Sequence, residues 1–278
     1  MNGVLFRKLG FIGAGTIAEA LITGLIRFAH VDPSSIVASD ANRERLISVT
    51  SRLGVTAGAG NIDVARQADV LFLAVKPQVM PDVLSELRGA GKPGSITVTL
   101  AAGVELSYVE AMLGEDARVM RIMPNTPCSL GAGSIAFCLG KRLDVADVDW
   151  LLELFRKMAV VIEIDESLMN SVTALSGSGP GFVYTVIEAL ADGGVRIGFR
   201  KDQALALAAQ TVLGAAKMVL ETGEHPAKLR DMVTSPGGTT IAGLHAMEKG
   251  GVRGALIDAV VAAAERARSL GPTPAKKV

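Results

Sequence analysis

Apolar and polar positions change rhythm once along the chain. Up to about residue 165, short apolar runs rich in β-branched residues alternate with amphipathic stretches of helical period. The runs Leu9–Ile12, Ile36–Ser39, Val70–Val75, Ile96–Thr99, Val119–Met123, Ser134–Phe137 and Val160–Ile164 read as strands. Thr16–Phe28, Arg43–Leu53, Pro81–Arg88, Leu106–Leu113 and Val145–Met158 read as the helices between them. Segments such as "DVLFLAV" are apolar on both faces, as a parallel strand covered by helices above and below must be. Alternation of this kind predicts an α/β, doubly wound Rossmann-type domain over residues 1–165.

From residue 166 the strand signals stop. "GPGFVYTVIEALADGGV", "KDQALALAAQTVLGAAKMVLETG", "HPAKLRDMV", "TTIAGLHAMEKGG" and "VRGALIDAVVAAAERARSLG" read as helices, several of them ending at glycine. The second domain, 166–278, is therefore all-α, with a frayed tail at "PTPAKKV". From Ala204 to Ala216 only Gln210 and Thr211 are polar, and from Ala255 to Ala264 only Asp258. Helices apolar nearly all round need burial, more than so short a domain offers. A homodimer packed through these helices answers that need; one central buried helix within a single subunit is the rival solution.

Composition narrows the function. The 278 residues are 49% hydrophobic and 20% charged, which excludes a disordered chain. Lys plus Arg and Asp plus Glu are 28 each, so no net field recruits nucleic acid or an anionic membrane. No stretch approaches the roughly 20 apolar residues of a membrane helix, and the N-terminus lacks a secretory pattern. Cys128 and Cys138 have no metal-ligand spacing and read as free thiols packed in a reducing compartment. The expectation is a cytoplasmic protein without a metal.

Candidate chemistry begins at "GFIGAGTIAEAL". Gly13, Gly15 and Ala18 form G-x-G-x-x-A after a strand and at a helix start, a dinucleotide-phosphate fingerprint in the loop Ile12, Gly13, Ala14, Gly15, Thr16 and Ile17. Asp40, after the second strand, suits an adenosine ribose and favours NADH. Asn42, Arg43 and Arg45 follow and suit a 2′-phosphate, favouring NADPH; the choice stays open. Two loops at strand ends, Ala74, Val75, Lys76, Pro77 and Ala101, Ala102, Gly103, are small enough for a flat nicotinamide. A third, with Asn125 between prolines 124 and 127, makes a stiff polar wall.

Two hydroxyl-and-glycine elements precede helices: Ser176, Gly177, Ser178 and "TSPGGTT", with Ser235, Gly237, Gly238, Thr239 and Thr240. Each reads either as an N-capped helix or as a cradle of N–H and hydroxyl donors for a small carboxylate. His30, His225 and His245 lie in unpromising settings for an acid, and no buried lysine stands in the second half. A substrate that arrives as a protonated imine needs no strong acid.

Together "GFIGAGTIAEAL", "VLFLAVKP", "AAGV", "MPNTP", "LSGSGPGFVY", "ALADGGVRIGF" and "HPAKLRDMVTSPGGTTIAGLHAME" resemble the pyrroline-5-carboxylate reductase family, in order over essentially the whole chain. The resemblance implies reduction of a cyclic imino acid, 1-pyrroline-5-carboxylate, to L-proline by NADPH or NADH, with the substrate between the α/β domain and a helical dimerisation domain. Ser235, Thr239 and Thr240 would hold the substrate carboxylate, with the Thr240 hydroxyl near the ring nitrogen as the catalytic group. Ser176, Gly177 and Ser178 would line the pocket, and Glu166 matches a family position near the substrate. Asn61 joins the glycine loop and the two strand-end loops in holding the cofactor. Gly181 departs from the family's usual alanine, and Asp40 from its usual preference for NADPH. Rings of dimers are also implied. The alternative reading is another imine or short hydroxy-acid reductase on the same plan.

Overall fold

The computed structural model describes residues 7–270; the tail "PTPAKKV" lies outside the described residues. In chain order the elements are β1 Leu9–Ile12, α1 Thr16–Arg27, β2 Ile36–Ser39, α2 Arg43–Leu53, β3 Thr56–Ala57, α3 Asn61–Gln67, β4 Val70–Leu73, α4 Met80–Leu87, β5 Ile96–Thr99 and α5 Leu106–Leu113. Then follow β6 Arg118–Pro124, β7 Gly133–Leu139, α6 Val145–Arg156, β8 Ala159–Glu163, α7 Met169–Val172, α8 Gly179–Arg196, α9 Lys201–Thr222, α10 Pro226–Met232, α11 Thr239–Lys249 and α12 Val252–Arg268.

The eight strands form one sheet in the order β3-β2-β1-β4-β5-β6-β7-β8. The first six are parallel and follow the doubly wound order 3-2-1-4-5-6. β7 runs antiparallel to β6, because only the 3₁₀ turn Thr126–Leu130 and its flanks join them, too short for a crossover. β8 returns parallel to β7 through α6.

Strands buried on both faces divide their side chains between two cores. Phe11, Phe72, Val98 and Ile122 join Leu21 and Phe155 on one side; Ile12, Leu71, Leu73, Val119 and Met123 join Leu84 and Val109 on the other. The register places Phe11 beside Phe72, and their rings stack at 4.4 Å. Cys128 and Cys138 are buried and free, and burial pushes their thiols up to about 11 and about 12.

Two compact units emerge: the chain to Ser178 together with its end from Ala263, and Gly179–Ala262. The sheet-bearing unit runs on past β8 because Met169 and Val172 of α7 pack into the second core. In the other unit, α8 and α9 are joined through Gly198, whose φ of 108° makes the turn, and meet at Ile187, Ala191, Ala204 and Ala208. Little else there is buried. Tyr184, Leu207, Leu213, Leu220, Ile257 and Val261 are all half exposed or more. No helix of this unit is a buried centre in the single chain, so the rival packing solution is not the one adopted.

One expectation needs correction. α9 spans 22 residues with mean hydropathy 1.4 in its most apolar window, enough in length and composition to cross a membrane, and 11% of that window is buried within the chain. Its charges, Lys201, Asp202, Lys217 and Glu221, sit only near its ends, and Gln210 and Thr211 lower its hydropathy little.

Candidate active site

β1 lies between β2 and β4, where the chain reverses its direction of travel across the sheet, and the glycine loop leaves its carboxyl end. Gly13 has φ 96°, and a Cβ there would stand 2.6 Å from the Ala74 carbonyl oxygen. The loop is pinned on both sides: Gly13 N–H donates to Ser39 O at 2.8 Å, and Ala74 N–H to Ile12 O at 2.8 Å. Gly15 differs. Its φ of −74° suits any residue, and a Cβ would meet nothing within 4 Å. Gly15 caps α1 with no side-chain hydrogen bond, so the first N–H groups of the helix stay available to an anion. This open cradle fits a dinucleotide pyrophosphate.

The end of β2, where an adenosine ribose is expected, is acidic. Asp40 accepts from Ala14 N–H and Asn42 N–H, both at 2.7 Å, and Arg45 approaches its carboxylate at 3.6 Å. Asn42 spends its side-chain oxygen capping α2 at Arg45 N–H, while Arg43 stays exposed. Asn61 accepts from the Ser39 hydroxyl at 2.8 Å and donates to Glu86 at 2.7 Å. Ala74–Pro77 forms the loop after β4, with Val75 outside the strand predicted for it. Ala101–Val104 is a turn that places Gly103 at φ 74°.

Three of the expected residues, Glu166, Asn125 and Ser176, are held by side-chain hydrogen bonds, the last two to each other. Glu166 Oε1 accepts from Leu106 N–H at 2.6 Å, at the start of α5, and from Arg121 Nη1 at 3.1 Å. Asn125 donates to Ser176 O at 3.1 Å and accepts from Ser134 N–H at 2.9 Å, so this side chain acts as a strut beneath the Ser176 segment. Thr173–Gly177 is a π-helical turn, closed where Ser178 N–H reaches Thr173 O at 2.8 Å. The Ser176 hydroxyl bonds back to Val172 O.

In the helical unit, Ser235–Gly238 is a turn with Gly237 at φ 66° and Gly238 N–H donating to Ser235 O at 3.1 Å. A Cβ on Gly238 would stand 2.3 Å from the Ser235 hydroxyl oxygen. Gly238 caps α11 without a side-chain bond. Ser235, Thr239 and Thr240 make no side-chain hydrogen bond among the described residues, so the N-capping alternative is not adopted there. His30, His225 and His245 are exposed in the chain.

Sequence reasoning missed Arg121, Asn170 and Glu86. Arg121 left a signal, a lone charge within the apolar run Val119–Met123; its partners left none. Clefts around Pro93–Ser95 and Arg118 open at the amino ends of β5 and β6, the opposite edge of the sheet.

Doubly wound sheet, free phosphate loop and helical second unit define the class: a dinucleotide-dependent oxidoreductase. A family described as "NADP oxidoreductase coenzyme F420-dependent" matches residues 8–103, and "Pyrroline-5-carboxylate reductase dimerisation" matches 166–270. A pyrroline-5-carboxylate reductase of Methanosarcina acetivorans is 46% identical over 95% of this chain and 98% of its own. One of Glycine max is 46% identical over 94% and 95%. The crystal structure of Plasmodium falciparum pyrroline carboxylate reductase with NADP bound is similar at TM-score 0.86 and 30% identity, covering 97% of this chain and 100% of that one. The chain belongs to the pyrroline-5-carboxylate reductase family.

Proposed function

We propose that the protein reduces the C=N bond of 1-pyrroline-5-carboxylate, giving L-proline, as a cytoplasmic homodimer joined through its helical unit. When bound, the nicotinamide cofactor supplies the hydride. The chain's part is to bind, orient and exclude. The glycine loop and the α1 N-terminus hold the pyrophosphate, with Ile12–Ile17 as its bed. Asp40, Asn42, Arg43 and Asn61 surround the adenosine ribose. The loops Ala74–Pro77 and Ala101–Gly103 leave room for the nicotinamide.

Ser235, Gly237, Gly238, Thr239 and Thr240 grip the substrate carboxylate through main-chain N–H groups and hydroxyls, and Glu166 with Ser176–Ser178 lines the ring. Thr240 orients the imine nitrogen, which already carries its proton. Positioning of this kind is worth several powers of ten in rate. The observation that carries the reading is the bare start of α11, where Gly238 supplies no cap and three hydroxyls have no partner among the described residues.

Asp40 and Glu86 put two carboxylates at the adenosine corner, against Arg45, already paired, and Arg43. That balance favours NADH over NADPH, since a 2′-phosphate would meet like charge.

The test is steady-state oxidation of each nicotinamide cofactor with pyrroline-5-carboxylate, linear imines and short keto acids. Turnover confined to linear imines or keto acids overturns the reading. Light scattering on dilution tests the dimer, which an active monomer would refute.

A further inference from the structure

The largest fully buried side chain is a charged one. Arg121 stands on β6 with its side chain 1% exposed, among Val119, Met123, Ala136, Cys138 and Met169 on the apolar second-core face. An arginine there costs more than any aliphatic residue unless its fork is used. Its two Nη groups are used. Nη1 donates to Glu166 at 3.1 Å and Nη2 to Asn170 Oδ1 at 3.2 Å, while Nε has no partner.

The two acceptors belong to one short segment. Glu166 opens the turn after β8, and Asn170 sits on α7, which runs directly into the π turn carrying Ser176 and Gly177. At the other end of that turn Asn125, also on the β6 side, holds Ser176 O. β6 therefore anchors the segment at both ends. Glu166 adds a third tie, because the same oxygen that pairs with Arg121 accepts the Leu106 N–H just after the Ala101–Gly103 loop. One carboxylate thus links the expected nicotinamide loop to the expected ring-lining segment.

We propose that Arg121 is a positioning residue of the reaction: its buried fork fixes the place of the Glu166 carboxylate and sets the course of residues 170–178 against the Ala101–Gly103 loop. The proposal rests on the proposed function for its kinetic outcome and on geometry for its structural one. It requires two donors at fixed separation, which a methionine lacks entirely and a lysine supplies only in part.

The test compares wild type, R121M, R121K, N170A and R121M/E166Q. R121M is expected to lower kcat/KM for the cyclic imine about 100-fold, as displacements of about 1 Å do, with NADH affinity measured by fluorescence within about threefold of wild type. R121M/E166Q is expected to be no worse than R121M, because Glu166, through which Arg121 acts, has then already lost its partner. R121K recovers about tenfold of the deficit, since it restores the charge without the fork. In the protein without substrate, amide exchange at 169–178 speeds up in R121M and N170A.

An R121M/E166Q about tenfold or more below R121M, an R121K no better than R121M, or NADH affinity falling in step with kcat/KM overturns the proposal. Should R121M not fold, R121K and N170A decide: wild-type kinetics and exchange in both refute it. A wild-type chain inert toward pyrroline-5-carboxylate would sink the proposed function instead, and amide exchange would still decide the role of Arg121.

Discussion

Gly13 and Gly15 are two residues apart in one loop, and substituting each by alanine separates what the loop does for the fold from what it does for the cofactor. At Gly13 the backbone is left-handed at φ 96°, and the added Cβ would press within 2.6 Å of Ala74 O and 2.9 Å of its carbon. Both are backbone atoms of the loop after β4, hydrogen-bonded to the end of β1, and cannot rotate away. The conformation costs about 1–2 kcal/mol, and the overpacking about 1–3 kcal/mol. A loss of roughly 2–5 kcal/mol lowers Tm by about 5–15 °C in a chain of this size.

At Gly15 the backbone is ordinary and the Cβ enters empty space, so stability shifts by less than about 1 kcal/mol. That space is where a pyrophosphate would approach, and losing one charge-assisted contact weakens NADH binding about 10–100-fold. Calorimetry for Tm and fluorescence titration for Kd read the two effects independently. A G15A protein that binds NADH like wild type, or melts as low as G13A, refutes the reasoning.

Asp40→Ser removes a carboxylate from the adenosine corner and should raise the NADPH-to-NADH ratio of kcat/KM about tenfold; an unchanged ratio returns the preference to the arginines. Thr240→Ala should cut kcat for the imine well beyond any change in cofactor Kd, and full turnover at saturating substrate removes Thr240 from the reaction. The thiols of Cys128 and Cys138 are raised to about 11 and about 12 by burial, Glu166 adding to the latter. They should therefore resist an aromatic disulfide reagent at pH 8 until the chain unfolds. Unfolded thiols ionise near 8.5, so the stability these two contribute is complete below that pH and drains as pH rises through their folded values. Prompt labelling of the native chain would show that they are not packed as described.

The strands that the sequence revealed residue for residue, β1, β2 and β5, are buried on both faces, where every position must be apolar or small; β4 is equally buried, but the apolar Ala74 and Val75 beyond it hid its end. β3 has two residues and α3 seven, too few for a period to show. The reversal at β7 was invisible as well, because strand direction depends on the length of the link from β6 rather than on the strand's own composition. In the site, the glycine loop and the Ser235–Gly238 turn were legible because backbone conformation restricts residue type: Gly13 and Gly237 need positive φ, and a Cβ on Gly238 would have to push the Ser235 hydroxyl aside. Arg121 and Glu166 were not legible as a pair. They are 45 residues apart, and only the sheet brings them together.

On the proposed function, the chain solves the same problem twice with the same part. Its charges balance, so it has no general attraction for anions, yet a dinucleotide and an imino acid both present negative groups. A lysine or arginine at each site would supply charge but would add a mobile cation beside a reaction centre that is itself cationic. An uncapped helix start supplies the attraction as fixed dipoles instead, with no side chain to reorganise. α1 and α11 both begin at a glycine cap without a side-chain bond, each after a turn whose glycine has positive φ. Installing an aspartate cap at Gly15 or Gly238 would satisfy the helix and spoil the cradle. For a helix with no ligand to bind, that substitution would be stabilising. On the proposed function, a helix that holds an anion loses function by it, so G15D and G238D should each weaken ligand binding without lowering Tm.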